Sequence, residues 1–258
     1  MRILLTNDDG IDAPGLHALA RALKTCGHDI LIVAPALDHS GFGAALGPLH
    51  VTGQVTFENR KIEDLLGVEA FAVDGSPALC AFSAALGGFG PQPDLVVSGI
   101  NSGQNQGRAV LFSGTVGAAL TACQFGIPAM AVSLARGVDD HWFWDTAAVC
   151  AASLVHAVRE IGTAGVLNVN VPNVRPYAVR GFKAGRLAIG GRVQTAMVEK
   201  EPGTLELSFD RFEPEPGTDV AVLREGYVAL SLIEVARDAH GDALDTIIGR
   251  LTDAELAG

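Results

Sequence analysis

The hydrophobic positions of this chain follow two patterns that alternate along the first two-thirds of the sequence. Short runs that are apolar throughout predict strands at residues 2–6, 29–34, 70–73, 94–98, 129–134 and 165–171. Stretches with helical periodicity lie between them. The stretch from Pro14 to Gly27, for example, places leucines 16, 19 and 23 on one face of a helix. Further helices are predicted over residues 76–86, between Thr115 and Gly126, and over residues 145–161.

This alternation predicts the fold class. A strand that is apolar along its whole length is typical of a sheet covered on both faces, and helices that separate such strands indicate parallel crossover connections. We therefore predict an α/β fold: a doubly wound, mostly parallel sheet in a Rossmann-like three-layer sandwich.

The pattern changes after Pro172. Turn signals recur at Gly190-Gly191, Pro202-Gly203 and Pro216-Gly217, and apolar and polar residues alternate over residues 205–209, as in a half-buried strand. Another strand is predicted at residues 227–233 and a closing helix at residues 243–256. We thus divide the chain into an α/β catalytic core (1–177) and a segment (178–258) comprising an antiparallel β extension and a C-terminal helix, which we expect to serve oligomerisation.

Composition narrows the classes of function. Of 258 residues, 48% are apolar and 18% charged, which suits a packed globular core. The 29 acidic and 18 basic residues give a net charge of −11, which argues against binding to a nucleic-acid polymer. No run approaches the roughly 20 apolar residues of a membrane span, and the N-terminal run ends too early for a signal peptide. The four cysteines form no CxxC pair, so we expect buried thiols in a cytoplasmic protein and no zinc site.

Candidate chemistry lies where predicted strands end. In open α/β sheets, ligands bind beyond the carboxyl ends of the strands. Asp8 and Asp9 follow the first strand, Ser40 lies in the loop after the second, and Asn101 lies in a Gly- and amide-rich loop, 99–107. All four offer oxygen, which suits one hard divalent ion, Mg²⁺ or Mn²⁺. In the alternative interpretation, one aspartate caps the following helix and the other is solvated.

A second feature is the sequence Ser113-Gly114-Thr115, which opens a predicted helix. A helix N-terminus presents free N–H groups and the positive end of the helix dipole, and so favours a phosphate. Ser113 is equally suited to be the ordinary N-cap of the helix, and the two roles are compatible.

Taken together, these motifs resemble the SurE family of survival-protein nucleotidases. The resemblance rests on NDDG near the N-terminus, His39-Ser40-Gly41, SGIN at 98–101, SGTV at 113–116 and GTDVAVLREGYVALSL at 217–232, in that order over nearly the whole chain. It implies a divalent-metal-dependent phosphatase that acts on nucleoside 5′- and 3′-monophosphates and on short polyphosphate, and a homodimer or homotetramer that exchanges C-terminal elements.

The resemblance also implies roles for individual residues. Asp8, Asp9, Ser40 and Asn101 would hold one metal ion per subunit, and Asn105, Ser113 and Thr115, with Gly114 between them, would form the phosphate pocket. We assign Asp8 and Asp9 as the catalytic pair, since either could also accept a proton. The sequence departs from the family pattern at residues 42–47, at Arg108 and at Thr121.

Two other functions compete with this one. An aspartyl-phosphate mechanism needs a second aspartate two positions after the first, where this chain has Gly10. A non-catalytic nucleotide-binding module of the Rossmann type would carry GxGxxG after the first strand, where this chain has NDDG. Nucleotide binding without release of phosphate would favour the second alternative.

Overall fold

The computed structural model describes residues 1–137, 139, 141–189, 193–211, 213–234 and 236. A nine-stranded sheet with strand order β3-β4-β2-β1-β5-β6-β7-β11-β8 forms its centre, and β9 and β10 pair separately as a two-stranded antiparallel sheet. The strands are β1 (Arg2–Thr6), β2 (Asp29–Pro35), β3 (Phe57–Arg60), β4 (Glu69–Val73), β5 (Leu95–Ser102), β6 (Ala129–Leu134), β7 (Val166–Val171), β8 (Phe182–Ala184), β9 (Val193–Glu201), β10 (Thr204–Arg211) and β11 (Val228–Ile233).

Six strands from β4 to β7 run parallel, and the edges of the sheet are mixed. β3 is antiparallel to β4, and β11 is antiparallel to β7 but parallel to β8. The helices are α1 (Pro14–Thr25), α2 (Leu49–Thr52), α3 (Pro77–Ala85), α4 (Gly114–Gln124), α5 (Trp144–Ile161) and α6 (Asp219–Arg224), with 3-10 turns at Gly107–Phe112 and Pro176–Ala178.

Two buried cores, one on each face of the sheet, give the molecule three layers. On one face α1 and α5 pack together, and their leucines, alanines and valines meet alternate residues of the central strands, such as Leu5 and Val97. On the other face α3 and α4 pack together over the intervening residues, such as Leu4 and Val96. The predicted three-layer α/β fold is confirmed.

One boundary differs in a way that matters for the site. The loop predicted from residue 99 begins later, because β5 continues to Ser102. The register of β5 against β6 shifts between Ser98 and Asn101. At Gly99, where φ is +138°, an added Cβ would lie 2.3 Å from the backbone oxygen of Val132, so a side chain has no room. This glycine lets the strand carry Asn101 and Ser102 to the carboxyl edge of the sheet.

The later segment contributes to the main sheet as well as to a separate hairpin. β8 and β11 extend the nine-stranded sheet, whereas β9 and β10 pair with each other and, among the described residues, with no other strand. β10 confirms the predicted strand around Leu205, but that side chain is 64% exposed in the single chain rather than half-buried. The division at residue 177 stays a prediction, and the helix predicted at 243–256 lies outside the described residues.

The expectation of buried thiols holds for three of the four cysteines. Cys80, Cys123 and Cys150 are buried free thiols, but Cys26 is exposed at the end of α1. Within the described ranges, no helix has the length and apolar character needed to cross a membrane.

Candidate active site

Asp8 lies just beyond β1 and is buried, with 4% of its surface exposed. The Thr115 hydroxyl donates to Asp8 Oδ1 at 2.6 Å. The carboxyl also lies against Gly114, where an added Cβ would be 2.8 Å from the Asp8 Cβ. Burial raises the pKa of Asp8 to about 6; the Thr115 bond opposes this rise, and the charge of Asp9 adds to it. The Asp8 carboxylate thus lies at the first turn of α4, where its hydrogen bond to Thr115 offsets only part of the free-energy cost of burying its charge.

Asp9 is half-buried and is held by the end of β5. Ser102 donates twice to it, from its backbone N–H to Oδ2 at 3.1 Å and from its hydroxyl to Oδ1 at 2.7 Å. Burial raises the pKa of Asp9, the two Ser102 bonds oppose the rise, and the charge of Asp38 adds to it. Neither Asp8 nor Asp9 caps α1, whose N-cap residue is Ala13. The alternative interpretation, in which one aspartate caps α1 and the other is solvated, is therefore wrong.

The loop after β2 joins the same edge. The His39 N–H donates to the backbone oxygen of Asp8 at 2.8 Å. The Ser40 hydroxyl is exposed and donates to Asp38 Oδ1 at 2.7 Å, so Ser40 contacts Asp38 rather than Asp8 or Asp9. Sequence reasoning missed Asp38; its spacing of two residues from Ser40 within the same loop was the available signal.

Asn101 lies one residue before Ser102, and its amide nitrogen donates to the backbone oxygen of Gly103 at 2.6 Å. That bond turns the amide so that Oδ1 is the atom left to act as a ligand. Ser102, which the sequence reasoning also missed, connects this loop to Asp9.

Asn105 is the centre of a polar network beneath the site. Its side-chain amide donates to Ser133 Oγ at 2.9 Å and to Thr115 Oγ1 at 3.3 Å. Asn170 accepts from the Asn105 N–H at 2.8 Å, and both Asn168 and Asn170 donate to the Asn105 backbone oxygen at 2.9 Å. The network links Asn105 to Asp8 through Thr115, which contacts both of the other predicted residues.

The residues that support Asn105 were not found from the sequence. Ser133, Asn168 and Asn170 are fully buried within strands that are otherwise apolar. Two asparagines at i and i+2 in VLNVNV point to the same face of β7, and that spacing was a usable signal. A buried amide needs partners, so such a pair indicates a polar site on that face.

Ser113 is the N-cap of α4, as expected: its hydroxyl accepts from the Val116 N–H at 3.1 Å. The remaining N–H groups of the first turn and the positive end of the helix dipole lie beside Asp8. This arrangement favours negative charge at the helix end.

A buried aspartate from α6 braces the loop that carries Asn105. Asp219 accepts from the N–H groups of Gly107 at 2.7 Å, Ala188 at 3.1 Å and Val220 at 2.9 Å. Burial raises the pKa of Asp219, and these backbone bonds oppose that rise. The C-terminal segment therefore positions part of the candidate site, a connection that sequence reasoning missed.

The oxygen donors fit a divalent cation. Two adjacent carboxylates with raised pKa values have, within the described part of the chain, no basic side chain that offsets their charge. Among all the residues that the structure describes, no group of three or more His, Cys, Asp or Glu is arranged to hold a metal. An ion at Asp8 and Asp9 would therefore draw its other ligands from amide, hydroxyl or water oxygen, which suits Mg²⁺ or Mn²⁺.

Fold and site together define a class: a doubly wound α/β protein with two adjacent carboxylates at the carboxyl edge of its sheet, one of them buried against a helix N-terminus. The family model described as "Survival protein SurE" matches residues 3–192. This chain belongs to the SurE family, which confirms the resemblance seen in its motifs.

Individual relatives agree with this assignment. A protein of Xanthomonas euvesicatoria named 5'-nucleotidase SurE is 36% identical, with 96% of this chain and 95% of the relative covered. One from Shigella dysenteriae named 5'/3'-nucleotidase SurE is also 36% identical, over 93% of this chain and 92% of its own length. The crystal structure of the SurE protein from Aquifex aeolicus is 30% identical, with a TM-score of 0.77 over 95% of this chain and 98% of that one.

Proposed function

We propose that this chain is a divalent-metal-dependent phosphomonoesterase that hydrolyses nucleoside 5′- and 3′-monophosphates to nucleoside and phosphate. The observation that carries the proposal is the Asp8 carboxylate, buried against the first turn of α4 and hydrogen-bonded to Thr115, with Asp9 beside it. Relatives named as 5'- and 5'/3'-nucleotidases, similar over nearly the full chain, support it.

Asp8, Asp9, Ser40 and Asn101 are the proposed metal ligands. The Thr115 bond occupies Asp8 Oδ1 and the Gly103 bond occupies the Asn101 amide nitrogen, which leaves Asp8 Oδ2 and Asn101 Oδ1 to bind an ion. When bound, such an ion would neutralise phosphate charge and lower the pKa of a bound water.

The remaining residues hold the substrate and handle protons. The first-turn N–H groups of α4, at Gly114 and Thr115, would bind phosphate oxygens, with Ser113 as the N-cap of the helix. The Asn105 amide would join them by exchanging its 3.3 Å bond to Thr115 for a bond to a phosphate oxygen. Asp8 or Asp9 would also accept the proton of the attacking water, at a carboxylate oxygen that does not bind the ion. The same pocket would take the terminal phosphate of short polyphosphate, since this contact set recognises phosphate alone.

A phosphate-release panel tests the proposal. The full chain is assayed with 5′- and 3′-nucleoside monophosphates and with tripolyphosphate, in Mg²⁺, in Mn²⁺ and in excess EDTA. We expect release with one or both metals and none in EDTA. Nucleotide binding without release under all metal conditions would instead support the non-catalytic nucleotide-binding module.

We also propose that the chain is a homodimer or homotetramer, with the segment 178–258 as its assembly region. The β9–β10 hairpin forms its own sheet, and Met197 and Leu205 on it are each 64% exposed. An isolated two-stranded hairpin is at best marginally stable in water, so a second copy of the chain would stabilise it. Light scattering on the purified chain tests this; a monomer at micromolar concentration would contradict it.

A further inference from the structure

Large apolar side chains stand exposed on the two loops beside the candidate site. Phe42, Leu111 and Phe112 are 55%, 73% and 65% exposed. Phe42 lies in the loop that carries Ser40, and the other two end the 3-10 turn just before Ser113. We refer to these three residues as the apolar rim. None belongs to either buried core, and Leu111 also lines an apolar cavity with Leu120 and Phe125.

The backbone on both sides of Phe42 is attached to the walls of the site. On one side the His39 N–H donates to the backbone oxygen of Asp8 at 2.8 Å, and on the other the Gly43 N–H donates to the backbone oxygen of Phe112 at 3.2 Å. The Gly43 oxygen also lies so close to α4 that a Cβ at Gly117 would come within 2.3 Å of it. Residues 40–42 therefore span the distance from Asp8 to the start of α4.

The Phe42 ring is also held by a neighbour. Its centroid lies 4.9 Å from that of the His39 ring, with an interplanar angle of 67°, which is an edge-to-face pair. The His39 ring is fixed in turn by a 3.0 Å contact between Nδ1 and the backbone oxygen of Leu37. An exposed ring held this way loses little side-chain freedom when a ligand stacks on it.

We propose that Phe42, flanked by the other two residues of the apolar rim, is the stacking surface for the nucleobase and makes the site favour nucleotides over phosphate esters without a base. The inference rests on the proposed function, because the phosphate must bind at Asp8 and Thr115 for the base to reach the rim. Stacking on an aromatic ring tolerates any base, so this contact selects for the presence of a base rather than its identity.

The test compares AMP with ribose 5-phosphate, which carries the same ester without the base. In the full chain with Mn²⁺, we expect Phe42→Ala to raise KM for AMP about tenfold with little change in kcat. The kcat/KM for ribose 5-phosphate should stay within about twofold of wild type. Phe42→Trp should keep the wild-type preference for AMP, because the indole also presents a stacking face.

Leu66→Ala is the matched control. Leu66 is 81% exposed and lies just before β4, where its backbone oxygen accepts from Lys24 in the last turn of α1, at the opposite edge of the sheet. This variant should leave kcat and KM for both substrates at the wild-type values. Three results for Phe42→Ala would overturn the inference and leave the proposed function standing. The variant could change kcat/KM equally for both substrates, or change it for neither. It could also alter the oligomeric state on light scattering together with both activities. No release from either substrate by the wild type would overturn both.

Discussion

Burial of Asp8 disfavours its charged form, while the proposed reaction needs that negative charge. A change at this residue should therefore affect both activity and stability. We expect Asp8→Asn to lower phosphate release by at least about a hundredfold. Asparagine keeps the shape and can still accept from Thr115 but loses the negative charge. The measurement is kcat with saturating Mn²⁺, alongside circular dichroism to verify the fold.

Asp29→Asn provides the control for that change. Asp29 begins β2 at the far edge of the sheet, and its side chain is 68% exposed and paired with Arg2. It should retain wild-type activity. Near-normal activity in Asp8→Asn would remove Asp8 from the mechanism.

The raised pKa of Asp8 also predicts how the metal-free protein responds to pH. Folding favours the protonated carboxyl, because the pKa moves from 3.8 unfolded to about 6 folded. The stability contribution of the protonated group is therefore full below pH 3.8 and is lost as pH rises through 6. In EDTA at pH 8, Asp8→Asn should thus be more stable than wild type, by up to about 3 kcal/mol.

Urea unfolding at pH 8, 6 and 4 measures this difference. It should shrink towards zero as pH falls to 4 and should reverse at pH 8 when Mn²⁺ is added, because only the wild type gains from the ion. A difference that does not vary with pH would mean that the carboxyl charge is compensated by another group.

At the residue scale, the sequence was informative where a residue type has few other uses. The adjacent aspartates after the first strand indicated a site only in combination with the loops that carry Ser40 and Asn101 at the same edge of the sheet. Ser102 carries no such signal and Asp38 only its spacing from Ser40, since serines and acids are ordinary loop residues. Their roles follow from the extension of β5 past Gly99 and from a loop conformation that the local sequence does not specify.

At the scale of elements, β7 shows how a strand can serve the core and the site at once. Leu167, Val169 and Val171 pack in the core beneath α1 and α5, while Asn168 and Asn170 face the other way and hold Asn105. The apolar run predicted the strand correctly. Which partners the two amides find could not be predicted, because they come from a loop sixty-odd residues earlier in the chain.

The two asparagines should differ in importance. Asn170→Ala removes both an acceptor for the Asn105 N–H and a donor to its oxygen, so we expect a loss of about 2 kcal/mol in stability and a rise in KM. Asn168→Ala removes one donor to an oxygen that Asn170 still serves. It also deletes Asn168 Oδ1, which is buried without a hydrogen-bond partner among the described residues.

Thermal unfolding and AMP kinetics of the two variants measure this contrast. Asn168→Ala should cost at most about 1 kcal/mol and leave KM close to wild type. Equal losses in both variants would show that the face of β7 acts as a unit rather than through the Asn105 backbone.

At the scale of the whole molecule, the order of strands along the chain does not predict which strand pairs with the β7 edge of the sheet. The parallel strands follow from the alternation of apolar runs and helices, and the sequence predicted them. β11, however, pairs antiparallel with β7 from Val166 to Asn170, although a separate hairpin lies between them in the chain. Long-range pairing of this kind depends on which edge is free once the core has formed, and hydrophobic periodicity does not reveal that.

Two deletions should therefore have opposite consequences. A chain that ends at residue 177 loses β11, which exposes the backbone edge of β7 beside Val166 and Val169, and loses Asp219, which braces the loop before α4. An open, apolar edge strand promotes aggregation, so this fragment should fail to unfold cooperatively.

In contrast, replacing residues 190–212 with a short Gly-Ser linker removes only the hairpin, and Ala188 stays bonded to Asp219 near the start of α6. This second chain should unfold in one cooperative transition as a monomer, since it keeps all nine strands of the main sheet and lacks the proposed assembly element. Circular dichroism melts and light scattering measure both outcomes. A cooperative 1–177 fragment would show that the core folds without β11, and an oligomeric linker variant would place the assembly surface outside the hairpin.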